Sequence, residues 1–295
     1  MRDSFSEYHP LVNLLYFILV ITCTMFLLHP VSLCVSLAGA IAYAACLKGG
    51  KALLHSLGYL LPVTLLAAVL NPVFSHEGAT VLAYLPSGNP LTLESVAYGA
   101  AAAVMLAAIL LWFTCLSAVL TPDKLIFLFG RILPALSLLL SMTLRFVPRF
   151  LRQFREVAEA QRGLGRDVSK GPLPQRLRTA VTILSIVVTW ALESSVETAD
   201  SMKSRGYGLP GRTAFALYRW ESRDTQALCW LAAWSIFLAA GAAAGGLRWR
   251  YYPTIRGGGT WPGMVCQAAY LLLSMTPVLL NWKEGRQWRQ SGCKM

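Results

Sequence analysis

Three arginine-centred segments are the sharpest chemical feature of this sequence: Gln161-Arg162-Gly163, Gly165-Arg166-Asp167 and Ser204-Arg205-Gly206. A guanidinium is always charged and presents five donors in a planar fork. An arginine projecting among small residues therefore suits a carboxylate or backbone carbonyls in a partner's groove. The local alternative is compensation of the carbonyl end of a helix, worth about 0.3–1 kcal/mol. A second pattern is acidic: Glu193, Glu197 and Asp200 fall at i, i+4 and i+7 and share one helical face. Arg149 and Arg152, with Arg155 beside them, form a basic counterpart on an earlier helix. The two helices are expected to cross with these charges complementary, the alternative being two solvated faces.

Catalytic chemistry has no comparable signature. H-E-x-x-H and G-x-S-x-G are absent, and Gly257-Gly258-Gly259-Thr260 lacks the lysine that turns a glycine-rich loop into a phosphate cradle. His9, His29, His55 and His76 are scattered, and the 7 cysteines contain no C-x-x-C. No catalytic residue, metal-ligand set or cofactor is assigned, and the cysteines read as small buried hydrophobes.

The elements that must hold the arginines belong to a membrane protein. Of 295 residues, 56% are hydrophobic and 14% charged, against about 45–50% and 25% in soluble domains. Apolar stretches at 11–29, 32–47, 52–74, 95–120, 226–247 and 264–282 approach or exceed the roughly 20 residues that cross a bilayer as a helix. The expected fold is all-α: a polytopic membrane bundle. The first stretch is too long for a signal-peptide core, and Asp3 and Glu7 dilute Arg2, so it reads as a retained span. No charge sits centrally in the six stretches, which disfavours an ion-coupled carrier.

A net charge of +12 does not call for nucleic acid, because basic residues gather in cytoplasmic loops. Lys48 and Lys51 follow the second stretch, whereas 75–93 contains no Lys or Arg. That asymmetry puts the N-terminus inside the cell; Arg248, Arg250 and Arg256, between the last two stretches, run against it. The segment 145–223 holds 14 of the 26 basic residues against 7 acids, and reads as cytoplasmic. Within it, Phe150, Phe154, Val157 and Gln161 share a face of an amphipathic helix ending near Gly163 and Gly165. A second helix is expected from about Pro174 to Ser204, closed by Gly206, Gly208 and Pro210. Before both, 125–144 is apolar but broken by Gly130, Arg131 and Pro134, and reads as a re-entrant or membrane-surface hairpin. The expected organisation is a four-helix region at 1–120, the surface hairpin and cytoplasmic helices at 121–225, and a membrane hairpin with a basic tail at 226–295.

These residues resemble the transmembrane (T) component of energy-coupling factor transporters of the cobalt and vitamin importer type. The resemblance rests on His9-Pro10, Asn71-Pro72-x-Phe74-x-His76-x-Gly78, Thr121-Pro122-Asp123-Lys124, Leu144-Arg145-Phe146-Val147-Pro148 with Ala160-Gln161-Arg162, and Ala199-Asp200-Ser201-Met202-x-Ser204-Arg205-Gly206-Tyr207-Gly208. It implies a subunit without chemistry of its own that joins two cytoplasmic ATP-binding subunits to a substrate-capturing S component in the lipid. Two cytoplasmic coupling helices would each end in X-Arg-X, typically Ala-Arg-Gly, whose arginine enters a groove on one ATPase. Ser204-Arg205-Gly206 matches the second motif. Aligned on Ala160-Gln161, the first motif falls on Gly163-Leu164-Gly165, which has no arginine, and Arg162 and Arg166 flank it as alternatives. The reading from a different class is a membrane-embedded enzyme of lipid or cofactor metabolism with a basic cytoplasmic face.

Overall fold

The computed structural model describes residues 3–75, 78–84, 90–130, 133–169, 171–210, 218–257 and 261–292. A 3-10 turn, Ser4–Glu7, precedes helices α1 (Pro10–Phe26), α2 (Pro30–Phe74), α3 (Leu93–Val119), α4 (Pro122–Gly130), α5 (Pro134–Gly163), α6 (Leu173–Ser204), α7 (Ser222–Ala243) and α8 (Trp261–Gly292). Strands β1 (Val81–Tyr84) and β2 (Pro90–Thr92) pair antiparallel ahead of α3, a hairpin that hydropathy does not anticipate. The protein is an all-α, polytopic membrane protein. Its chain forms two compact units, one of Met1–Lys124 with Tyr218–Met295 and one of Leu125–Leu217.

In the first, or membrane, unit the helix boundaries follow from caps. α1 and α2 both open with proline at N1, where the missing N–H is no loss. The preceding His9 and His29 each accept a bond at Nδ1, from Leu11 N at 3.3 Å and Val31 N at 3.2 Å. α2 is two helices joined at Gly49, whose φ of 77° breaks the helical run beside Lys48. The candidate spans Pro30–Gly50 and Ala52–Phe74 lie on either side. α1, expected over 11–29, has only 17 helical residues. One of its faces is buried and the other exposed: Val12, Tyr16, Phe17 and Val20 are fully buried in an aromatic core with Phe5, Tyr43, Trp112 and Tyr270, while Leu11, Leu15, Ile18 and Met25 are exposed. Small residues set the close approaches. A Cβ on Gly99 would lie 2.7 Å from Ala68 O, and one on Gly39 would lie 2.9 Å from Ser274 Cβ. Polar side chains inside the bundle pair with one another, as lipid requires. Thr24 Oγ1 meets Ser36 Oγ at 2.7 Å and Tyr270 OH at 2.8 Å, and Trp112 Nε1 donates to Ser36 at 3.1 Å.

Contacts fix the two ends of this unit. At one, Asp3 accepts from Tyr43 OH (2.9 Å) and Asn281 Nδ2 (2.5 Å), and Asp224 Oδ1 accepts from His9 N (2.9 Å). Lys124 also belongs here: buried, it donates to Ser6 O and to Val119 O (3.0 Å). At the other end, Tyr251 OH donates to Leu28 O (3.0 Å), Gln267 meets His29 (3.0 Å), and Asn71 Nδ2 donates to Ser95 O (3.2 Å). α1, the halves of α2, α3, α7 and α8 thus run alternately between the ends, six passes in all among the described residues. The chain leaves at Lys124 and returns at Tyr218 on the same end.

Candidate coupling site

The second, or hairpin, unit holds all the sequence-predicted site residues. α4 turns onto α5, with Ser137 Oγ donating to Ile126 O at 3.0 Å and a Cβ on Gly130 blocked by Ser137. Arg131, expected to help break this stretch, lies outside the described residues, as do Lys170 and Arg212. From Pro134 onward α5 is continuous over 30 residues, passing through Pro148. α6 spans 32 residues and begins one residue before the expected Pro174. A small core joins the two: Val157 packs with Ile183 and Val187, flanked by Ala158, Val168 and Ile186. Gln161 and Phe150 line the same inner stripe of α5, but Phe154, expected with them, is exposed. Its rotation away from the seam follows from a face spaced as 146, 150, 153 and 157, which leaves 154 on the flank.

Both helices end in the same backbone device. In α5, Gly165 N donates to Arg162 O (3.0 Å) and Arg166 N to Gln161 O (2.9 Å), with Gly165 at φ 78°. In α6, Gly206 N donates to Lys203 O (3.0 Å) and Tyr207 N to Met202 O (3.0 Å), with Gly206 also at φ 78°. These are two Schellman caps, which consume the last carbonyls and need a left-handed residue that glycine supplies. Superposing the caps by role puts Arg205, the C-cap of α6, opposite Leu164, the C-cap of α5. Arg162 corresponds to Lys203 and Arg166 to Tyr207.

The side chains then separate. Arg205 and Ser204 are exposed, with Ser204 Oγ turned back to Ser201 O (2.9 Å). Arg162 pairs with Asp167, Nε to Oδ2 at 3.4 Å, while Asp167 Oδ1 accepts from Ser169 N at 2.9 Å. Arg166 is exposed just past the cap. Leu164 is 72% exposed, an unusual placement for a leucine at a helix end. A carbonyl-compensating role for Arg205 is reduced here, because backbone bonds of the cap already take up the carbonyls of Ser201, Met202 and Lys203.

Arg149, Arg152, Glu193, Glu197 and Asp200 are all exposed and lie off the packed seam. Among the described residues no ion pair joins α5 to α6, and Arg152 Nε bonds its own helix at Pro148 O (3.4 Å). The structure does not bring the two charge stripes together within the chain. Among the described residues, too, no group of three His, Cys, Asp or Glu side chains is placed to hold a metal. What sequence reasoning missed is a polar cluster in the membrane unit, where Asp3 accepts from Tyr43 and Asn281 and the buried Lys124 donates to Ser6 O. The only signal for it was a polar residue at each of four distant positions.

A bundle of six passes and a helical hairpin with glycine-capped ends define a class: a polytopic membrane protein whose charge is displayed at helix termini. The chain belongs to the CbiQ family, described as cobalt transport protein, which it matches over residues 1–215. It is similar to the energy-coupling factor transporter transmembrane protein EcfT of Listeria innocua serovar 6a. The two are 31% identical over 179 residues, 57% of this chain and 67% of that protein. The proteins of the same name from Exiguobacterium sibiricum and Bacillus subtilis are each 34% identical, over 104 and 109 residues. Those alignments take in 35% and 36% of this chain and only 40% and 41% of the relatives' own length.

Proposed function

We propose that this chain is the non-catalytic transmembrane coupling subunit of an ATP-driven importer of a micronutrient, a vitamin or metal ion. The ends of α5 and α6 dock two cytoplasmic ATP-binding subunits, and the hairpin passes their motion to a substrate-capturing S component in the bilayer. The observation that carries this reading is the pair of matching Schellman ends on two long helices. One of them presents an arginine that its own helix does not need.

Orientation follows from charge. Lys48, Lys124, Arg219, Arg223, Lys283 and Arg286 belong to the end of the membrane unit that holds both links to the hairpin unit, against Arg248, Arg250 and Arg256 at the other. The positive-inside rule makes the first end cytoplasmic, with the N-terminus. α6 is long and apolar enough to cross a membrane by length and composition. A single crossing there would return the chain on the wrong side of the bilayer, because it leaves and re-enters the membrane unit at one end. We read α6 instead as lying along the apolar zone. Leu173, Leu177, Val181, Leu184, Val188 and Leu192 form an exposed stripe spaced by three and four. Such a stripe suits lipid and the apolar wall of an S component.

The test is co-expression with ATP-binding subunits and a small membrane partner. Arg205→Ala is expected to release the ATP-binding subunits and abolish uptake while the chain still inserts. Normal assembly and uptake in that variant would overturn the proposal.

A further inference from the structure

The three arginines that run against the charge asymmetry have a local structure that explains their presence. Arg250 and Arg256 face each other across an isolated antiparallel bridge, N to O at 3.0 Å and 2.9 Å in both directions. In such a hydrogen-bonded pair the two side chains leave on the same side, and like charges directly opposite destabilise the pairing. Burial alternates along the incoming strand: Arg248 exposed, Trp249 half-buried, Arg250 exposed, Tyr251 buried. Trp249 and Tyr251 therefore point inward, Trp249 against His29 (4.9 Å between centroids) and Tyr251 onto Tyr98 (5.5 Å). The arginines share the outer face. A Cβ on Gly257 would collide with the Trp249 ring, so the bridge is held shut by indole against backbone.

Among the described residues no carboxylate neutralises this face. No Asp or Glu occurs between 225 and 283. Glu94, at the same end, is buried and taken up by Thr80 Oγ1 at 2.5 Å, and Glu77 lies outside the described residues. Among the described residues none of the three arginines has an ion-pair partner; Arg256 Nε reaches only Thr254 Oγ1 (3.1 Å). The level is that of lipid headgroups: α8 starts at Trp261, 81% exposed, and β1 ends at the exposed Tyr84. Exposed Trp and Tyr at helix ends mark the membrane–water interface.

We infer that Arg248, Arg250 and Arg256 bind the phosphate of an anionic phospholipid headgroup at the end of the membrane unit opposite the chain termini. A phosphodiester between the opposed guanidinium forks removes their repulsion and matches their bidentate geometry. Its acyl chains lie along the apolar helices below. This site is independent of the coupling role proposed above.

Native mass spectrometry of the full-length chain, released from detergent with dioleoyl phosphatidylglycerol or dioleoyl phosphatidylcholine, tests it. The wild-type chain should retain the anionic lipid with about tenfold preference, a difference of about 1.4 kcal/mol. The variant Arg250→Gln/Arg256→Gln should lose that preference. Lys283→Gln/Arg286→Gln, which removes the same charge at the other end, should keep it. Equal lipid retention by the wild-type and Arg250→Gln/Arg256→Gln chains overturns the inference, as does equal loss in both double variants. Displacement of the lipid by millimolar inorganic phosphate would also overturn it, making the ligand a free anion.

Discussion

At the residue scale, Arg205 is exposed at the end of α6, with no side-chain partner among the described residues. The cap already bonds the carbonyls of Ser201, Met202 and Lys203, which leaves the guanidinium free for the docking role proposed above. If it is desolvated in a groove, Arg205→Ala should weaken binding of an ATP-binding subunit by about 2–5 kcal/mol, read as a rise in Kd by biolayer interferometry. The cap equivalence sharpens the first motif. Arg162 is drawn to Asp167, whereas Arg166 is exposed just past the cap. Arg166→Ala should therefore weaken docking more than Arg162→Ala does. Leu164→Arg, which recreates the Arg205 position on α5, should tighten docking by about tenfold, or 1.4 kcal/mol. No gain from Leu164→Arg would mean that the two helix ends dock by different chemistry. Lys124 is a different kind of residue. Burial pulls its pKa below the usual lysine value against the opposing pull of Asp3. Lys124→Met would strand the carbonyl of Ser6 and leave Val119 O with Thr121 N alone, and should cost about 1–3 kcal/mol, seen as a lower Tm in detergent.

At the element scale, α5 and α6 touch through very few buried side chains. Ile183 is fully buried in that small seam, so Ile183→Ala removes most of what holds the hairpin together. About 2–4 kcal/mol is expected, measured as faster hydrogen exchange along both helices with the membrane unit unchanged. The exposed stripes of Arg149 and Arg152 and of Glu193, Glu197 and Asp200 do not meet in the free chain. A double-mutant cycle between Arg152→Ala and Glu197→Ala should be additive within about 0.5 kcal/mol for the isolated protein. Coupling above that value only in the assembled transporter would assign the stripes to the working complex. In the membrane unit, Gly99 faces α2 rather than a partner: its missing Cβ lets Ala68 O approach. Gly99→Leu should block insertion-competent folding, whereas Ala100→Leu, on the exposed side of α3, should be tolerated.

At the scale of the whole molecule, six passes and two links at one end make a topology that labelling can check. In a cysteine-depleted background, Ala83→Cys on β1 should react with an impermeant maleimide in intact cells, and Ser222→Cys at the head of α7 should not. The reverse pattern would invert the protein in the membrane and remove the ATP-binding subunits from reach of α5 and α6.

The six apolar segments, the two long helices and their glycine ends were legible in the sequence because hydropathy, proline at N1 and glycine after a helix act within a few residues. So were Arg205 and the absence of an arginine at 163–165. Three things needed the tertiary structure. Which face of the short α1 is buried, the one bearing Val12, Tyr16, Phe17 and Val20, was decided only by the helices packed against it. The polar cluster of Lys124, Asp3, Tyr43 and Asn281 joins residues far apart in sequence, which no local pattern can announce. The opposed Arg250 and Arg256 read as misplaced positive charge until pairing across the bridge put both on one face. Local signals set where helices start and stop, and which faces meet is decided by contacts between segments that the chain order keeps apart.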